Sequence, residues 1–178
     1  MRRTLWYKEY VTHKIMKLNK KIIDALNYRI QQEEASARVY EQFALWLDDR
    51  GFKNFAALYY KYAHEELTHA KFAKDHLLAF GVQPELTKLP APDYEFNSLK
   101  DILELTLEHE QEITRQCNEL TKLAASLDDF PTMTLGMKYC AEQVEELDKA
   151  QTFVDQMETF GDSKEVMITL EHNVKDLL

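Results

Sequence analysis

Four stretches of this chain repeat an apolar side chain every three or four positions, and a glutamate interrupts each repeat near its middle. The first reads Ile23, Leu26, Ile30, Glu33, Ala37, Tyr40, Ala44, Leu47. The second reads Phe55, Tyr59, Tyr62, Glu66, His69, Ala73, Leu77, Phe80. The third reads Leu99, Leu103, Thr106, Glu110, Ile113, Cys117, Leu120, Ala124. The fourth reads Thr132, Gly136, Tyr139, Gln143, Glu146, Ala150, Phe153, Met157. A 3.6-residue period marks one face of an α-helix. Four such faces, on helices near ~30 residues against a typical ~12, restrict the chain to an all-α bundle. A carboxylate on a core-facing stripe is costly unless it is neutralised. Four of them at mid-helix meet at one level of the bundle whichever way the helices run. That arrangement calls for a cation.

Glycine and proline punctuate the pattern. Gly51, Gly81 and Gly161 stand where the first, second and fourth helices should stop, as suits a residue that tolerates left-handed backbone. Ser98 with Asp101 reads as a capping box opening the third helix, and Asp129 with Pro131 opens the fourth. The predicted helices span roughly 18–49, 53–80, 98–127 and 130–160. Short turns after the first and third make antiparallel hairpins. The stretch 82–97 contains Pro84, Pro90 and Pro92 and can run extended to the far end of the bundle. Two hairpins joined by one long crossover is a known four-helix topology. A fifth segment, 163–177, carries Val166, Ile168, Leu170 and Val174 and is expected to pack at one end.

Composition excludes several classes. At 178 residues the chain is one domain by size, long enough for a sizeable core. A net charge of −9 argues against nucleic acid and anionic membrane as partners. No apolar run nears the ~18 residues needed to cross a bilayer. Cys117 and Cys140 lack CxxC spacing, which disfavours a zinc site or disulfide framework and fits a reducing, cytoplasmic compartment. Residues 1–15 hold Trp6, Tyr7 and Tyr10 rather than a signal-peptide core. They read as an N-terminal extension ahead of a domain at 16–178.

Glu66 and His69 stand one turn apart on the second stripe, an i,i+3 carboxylate–imidazole pair suited to a metal inside a bundle. Position makes the pair informative, because Glu33, Glu110 and Glu146 occupy the stripes of the other three helices. Four carboxylates carry four negative charges and two divalent ions supply four positive ones, so a dinuclear site neutralises the core. Oxygen-rich ligands with one imidazole and no thiolate suit iron or manganese, with zinc as a competitor. Glu66 is the natural bridge. Glu33 and His69 then complete one position, and Glu110 and Glu146 the other, with the ions ~3.5–4 Å apart. Tyr40, two turns from Glu33, is placed to hydrogen-bond a ligand carboxylate or supply an electron. His13, His64, His76, His109 and His172 read as surface residues.

The strings LNYRIQQEEASARVYEQFALW, AHEELTHAKF, LEHEQEITRQ and AEQVEELDKAQ resemble the bacterial non-haem ferritins in order and spacing, from about Met16 to the C-terminus. The resemblance implies a ferritin-like four-helix bundle with one long crossover connection and a short fifth C-terminal helix. Carried over by position, the first iron site is Glu33, Glu66 and His69. The second is Glu66, Glu110 and Glu146, with Gln143 nearby and Tyr40 beside the centre. Glu65, Glu142 and Glu145 match the ligands of an additional third iron site. The implied function is iron storage and detoxification. A ferroxidase subunit would oxidise Fe(II) with O2 or H2O2 and deposit ferric oxide inside a homo-oligomeric 24-subunit cage. Bacterioferritins place a haem-ligating methionine after the bridging glutamate, where this chain has Leu67. They also place a histidine three residues after the last glutamate, where it has Lys149, so no haem is expected. Lys138 stands where some bacterial ferritins have a tryptophan. Two rivals fit the same pattern: a non-storing di-iron oxidase or peroxidase without a cage, and a metal-free structural bundle.

Overall fold

The computed structural model describes residues 17–178, so the expected N-terminal extension and His13 lie outside the described residues. The elements are α1 (Lys20–Asp49), α2 (Lys53–Ala79), α3 (Leu99–Ser126), α4 (Phe130–Phe160) and α5 (Lys164–Asn173), closed by a 3-10 turn at Val174–Leu177. No strand occurs among the described residues. The four long helices end within two residues of the predicted limits. Capping explains why. The Ser98 hydroxyl accepts from the Asp101 N–H while the Asp101 carboxylate accepts from the Ser98 N–H, and Asp129 Oδ1 accepts from the Thr132 N–H at 3.1 Å. Gly51, Gly81 and Gly161 take φ of +87°, +72° and +79°. The α3–α4 turn has no glycine, and Asp128 takes the left-handed conformation there instead, at φ 55°. A short polar side chain tolerates that region at modest cost.

Helix α1 packs along α2 and α3 along α4, while α1 also meets α3 and α2 meets α4. The crossover between α2 and α3 is tied to α1 along its length. Asn27 Oδ1 accepts from the Glu85 N–H, Gln31 Nε2 donates to the Lys88 carbonyl, and Arg38 donates to the Pro90 carbonyl. Gly136 brings α3 and α4 close, since a Cβ there would lie 3.1 Å from the Thr121 Cα. Every residue of the third stripe is buried, and the fourth is buried except at Glu146. The apolar core divides in two. One cluster surrounds Tyr40, Phe43, Leu47, Phe55, Tyr59 and Phe153; the other surrounds Ile22, Leu26, Ile30, Leu77, Ile113 and Tyr139. Between them lies a polar layer containing Glu33, Glu66, Glu110 and Gln143. Each large side chain buried in these clusters contributes about 1.5–3 kcal/mol, and the layer draws on that surplus.

Helix α5 caps α2 from outside. Phe52 precedes α2 and offers no side-chain acceptor. The Glu171 carboxylate on α5 accepts instead from the Asn54 and Phe55 N–H groups, at 2.7 and 3.1 Å. Negative charge at a helix N-terminus also suits the macrodipole. Glu171→Ala is expected to cost about 1–2 kcal/mol, read as a lower denaturation midpoint with unchanged helix content.

Two histidines correct the sequence reading. His64 and His172 are exposed as expected, but His76 and His109 are half-buried. His76 Nε2 pairs with Thr132 Oγ1 at 2.9 Å, and His109 pairs with Ser36 Oγ at 2.8 Å and Tyr94 Oη at 3.3 Å. Partners on other helices offset the burial of each ring, and a single-helix period does not reveal them.

Candidate metal centre

Glu33 comes from α1, Glu66 and His69 from α2, Glu110 from α3, and Gln143 and Glu146 from α4. Glu33, Glu66, Glu110 and Gln143 are buried, and His69 is largely so. Among the described residues, Glu33, Glu66 and His69 form a group able to hold an ion, with one ligand atom from each within 4.8 Å of the others. His69 Nδ1 lies 3.6 Å from Glu66 Oε2, too long for a good hydrogen bond. Glu33 Oε2 and Glu66 Oε2 are buried with no hydrogen-bond partner. Unpartnered carboxylate oxygens in a dry interior are costly. Two of them facing one imidazole are therefore the donor set a divalent cation fits.

The electrostatics agree. Burial pushes the Glu66 carboxyl up to about 8, with the charge of Glu110 adding to the rise. Burial raises Glu33 well above the usual carboxylate range against the pull of Arg29, and raises Glu110 against hydrogen bonds from Tyr40 and Gln143. Protons and metal ions compete for these oxygens. The remaining candidates are already engaged. Tyr40 Oη donates to Glu110 Oε1, and Gln143 Nε2 donates to Glu110 Oε2 at 2.8 Å. Glu146 Oε1 accepts from Lys149 Nζ at 2.9 Å. A cavity of about 10 Å³, bounded by Tyr59, Tyr62, Thr106, Glu110 and Glu146, lies beside this pair, room for about one water.

The acidic residues read as a third site differ in their settings. Glu142 is partly buried and its Oε2 lies 3.5 Å from His69 Nε2, on the far side of the imidazole from Glu66. Glu65 is half-buried and Glu145 exposed. Lys138 sits 3.1 Å over the Phe72 ring and 4.0 Å from Glu142, a cation where an indole was the point of comparison.

Arg29 escaped the sequence reading. Its guanidinium is 2% exposed, and Nε lies 2.8 Å from Glu33 Oε1. Arg29 Nη1 donates to Gln116 Oε1 at 3.0 Å. The available signal was the i,i+4 spacing of Arg29 and Glu33 on one helix, which ordinarily marks a solvated surface pair.

With this geometry in view, the likeness to known proteins is specific. The family described as a ferritin-like domain matches residues 23–160. The bacterial non-heme ferritin of Escherichia coli O6:H1 is 30% identical over 160 residues, covering 90% of this chain and 97% of that protein. Its counterpart in Staphylococcus saprophyticus is 32% identical over 154 residues, covering 86% and 92%. Among solved structures, an open pore ferritin from the hyperthermophilic archaeon Archaeoglobus fulgidus superposes with a TM-score of 0.85 at 30% identity, covering 88% of this chain and 96% of that one. Identity at this level, sustained along nearly the whole length of both chains and matched by the shape of the bundle, means that the chain belongs to the ferritin family.

Proposed function

We propose that residues 16–178 form the ferroxidase subunit of an iron-storage cage, binding Fe(II) as substrate between the four long helices. The observation that supports this most directly is the pair of unpartnered, buried carboxylate oxygens on Glu33 and Glu66 beside His69. Glu33, Glu66 and His69 receive one ferrous ion. Glu66, Glu110 and Glu146, with Gln143 alongside, receive a second. Glu66 bridges the two, and its negative charge serves both. Ferric iron is a harder, more highly charged acceptor, so an all-oxygen set around one imidazole favours the oxidised product. Electrons pass from iron to O2 or H2O2. Tyr40, whose hydroxyl touches Glu110, orients that ligand and stands close enough to contribute an electron. Glu65, Glu142 and Glu145 form a third, more open iron position from which ferric ions leave for a mineral inside the cage.

Assembly has its own support. Tyr28, Leu45, Tyr60 and Leu67 lie on α1 and α2 and are 41–57% exposed, apolar surface that a subunit contact would cover. No helix among the described residues is long and apolar enough to cross a membrane. The storage reading carries with it a cytoplasmic homo-oligomer of 24 copies. Light scattering should give about 500 kDa, twenty-four chains of 21.0 kDa, and anaerobic Fe(II) admitted to oxygen should be oxidised with mineral retained in that species. A dimer that oxidises iron without retaining it would replace storage with a non-storing di-iron oxidase. No oxidation above the buffer rate would leave a structural bundle.

A further inference from the structure

Two cations already stand against the row of carboxylates. Arg29 Nε approaches Glu33 Oε1 at 2.8 Å, and Lys149 Nζ approaches Glu146 Oε1 at 2.9 Å. Neither residue has a part in the proposed chemistry. Once ionised, as metal binding requires, the four glutamates bring four negative charges to this layer, and these two residues reduce the total to two. We propose that Arg29 and Lys149 are resident counter-cations, positioning residues that hold the two ends of the carboxylate row in the iron-free protein and weaken its hold on divalent ions. The proposal rests on reading Glu33, Glu66, His69 and Glu146 as ligands.

The two cations differ in what they can do when a metal arrives. Arg29 keeps its charge at any working pH. It is 2% exposed, donates to Gln116 Oε1 at 3.0 Å, and rides on the same helix as Glu33. Its Nε and Nη2 make no aligned hydrogen bond, so its hold on Glu33 is mainly charge and proximity. It has nowhere to go, and an ion at Glu33 and His69 is bound against a fixed positive charge. Glu33 Oε1 faces the guanidinium and only Oε2 is free, which presents this carboxylate to a metal through one oxygen. Lys149 is 37% exposed on a flexible four-carbon arm. It can swing into solvent, and an ion reaching Glu146 takes the place of its ammonium group. The two metal positions are therefore unequal: one is permanently opposed, the other guarded by a displaceable cation.

Titration of the iron-free assembly with Zn(II), followed calorimetrically in wild type, Arg29→Gln, Arg29→Lys and Lys149→Gln, tests this without any turnover. Even under water-like screening, a unit charge roughly 5 Å from a divalent ion shifts its affinity by about tenfold. Arg29→Gln should bind one Zn(II) about tenfold tighter or more while its metal-free melting temperature falls, and Arg29→Lys should restore both to near wild type. Lys149→Gln should tighten the other Zn(II) similarly. Should Arg29→Gln fail to fold, Lys149→Gln, at a partly exposed position, decides the matter by itself. Unchanged or weaker Zn(II) binding in the glutamine variants would overturn the proposal while leaving the metal centre intact. Absence of Zn(II) binding in wild type would instead remove the metal centre, and this proposal with it.

Discussion

Glu66→Ala should reduce the rate of Fe(II) oxidation to within a few-fold of the uncatalysed reaction, a loss of about 100-fold or more. Glu66 is the one carboxylate proposed to serve both metal positions, and it lies close to both the His69 ring and Glu33 in the buried layer. Removing it takes a ligand and a charge from both ions at once. Stability should move the other way under one condition. Glu66 Oε2 is buried without a partner, and such a group is a net cost to the folded state. Glu66→Gln, which keeps the volume and discards the charge, should therefore leave the metal-free protein at least as stable as wild type at pH 8 while oxidation is lost. A stability–function trade of this kind belongs to sites built for a ligand. Stopped-flow absorbance and thermal denaturation of the two variants report the two halves. Wild-type oxidation kinetics in Glu66→Ala would remove the site.

Between pH 6.5 and 8 the metal-free protein should lose up to about 2 kcal/mol of stability from Glu66 alone. Burial and the charge of Glu110 lift the folded-state Glu66 carboxyl to about 8 from an ordinary 4.5. The folded protein then binds a proton that the unfolded chain has already released, and stability falls as pH rises through this window. Glu33 and Glu110 are raised as well and act in the same direction. Below pH 6.5 the slope is opposed. Burial lowers His109 to about 4 and also lowers His76, so the unfolded chain takes up protons that these folded rings refuse. That contribution declines as pH falls from 6.5 towards 4. The iron-free protein should thus be most stable in mildly acidic solution. Zn(II) should flatten the upper limb by replacing the protons, with release of protons into weakly buffered medium on binding. Glu66→Gln should make it shallower without metal, leaving the part due to Glu33 and Glu110. A metal-free stability curve that is level from pH 6.5 to 8 would contradict the buried carboxylate layer.

Much of the architecture is local and was therefore legible. Helix limits follow from Ser98 with Asp101, Asp129 with Pro131, and glycines that take left-handed φ, all interactions within a few residues of one another. The stripe on α3 is buried at every position read, because a straight helix keeps its phase. Juxtaposition across helices was less accessible. The periods of the stripes put Glu33, Glu66 and His69 at one level, and the folded chain brings their ligand atoms within 4.8 Å. Glu146, on a stripe by the same rule, stands partly exposed against Lys149. His109 and His76 packed inward because Ser36 and Thr132 happened to face them.

By itself, then, the sequence determined the number, length and order of the helices, the crossover, and the mid-helix position of each glutamate and of His69. These depend on spacing along one chain, which is written in the residues. Only the tertiary structure decided which charges face those carboxylates. Arg29 and Lys149, the Glu171 cap on α2 and the tie of Tyr40 to Glu110 turn on side-chain directions and burial. A residue's charge is fixed by its type, but what that charge is set against depends on which helices meet.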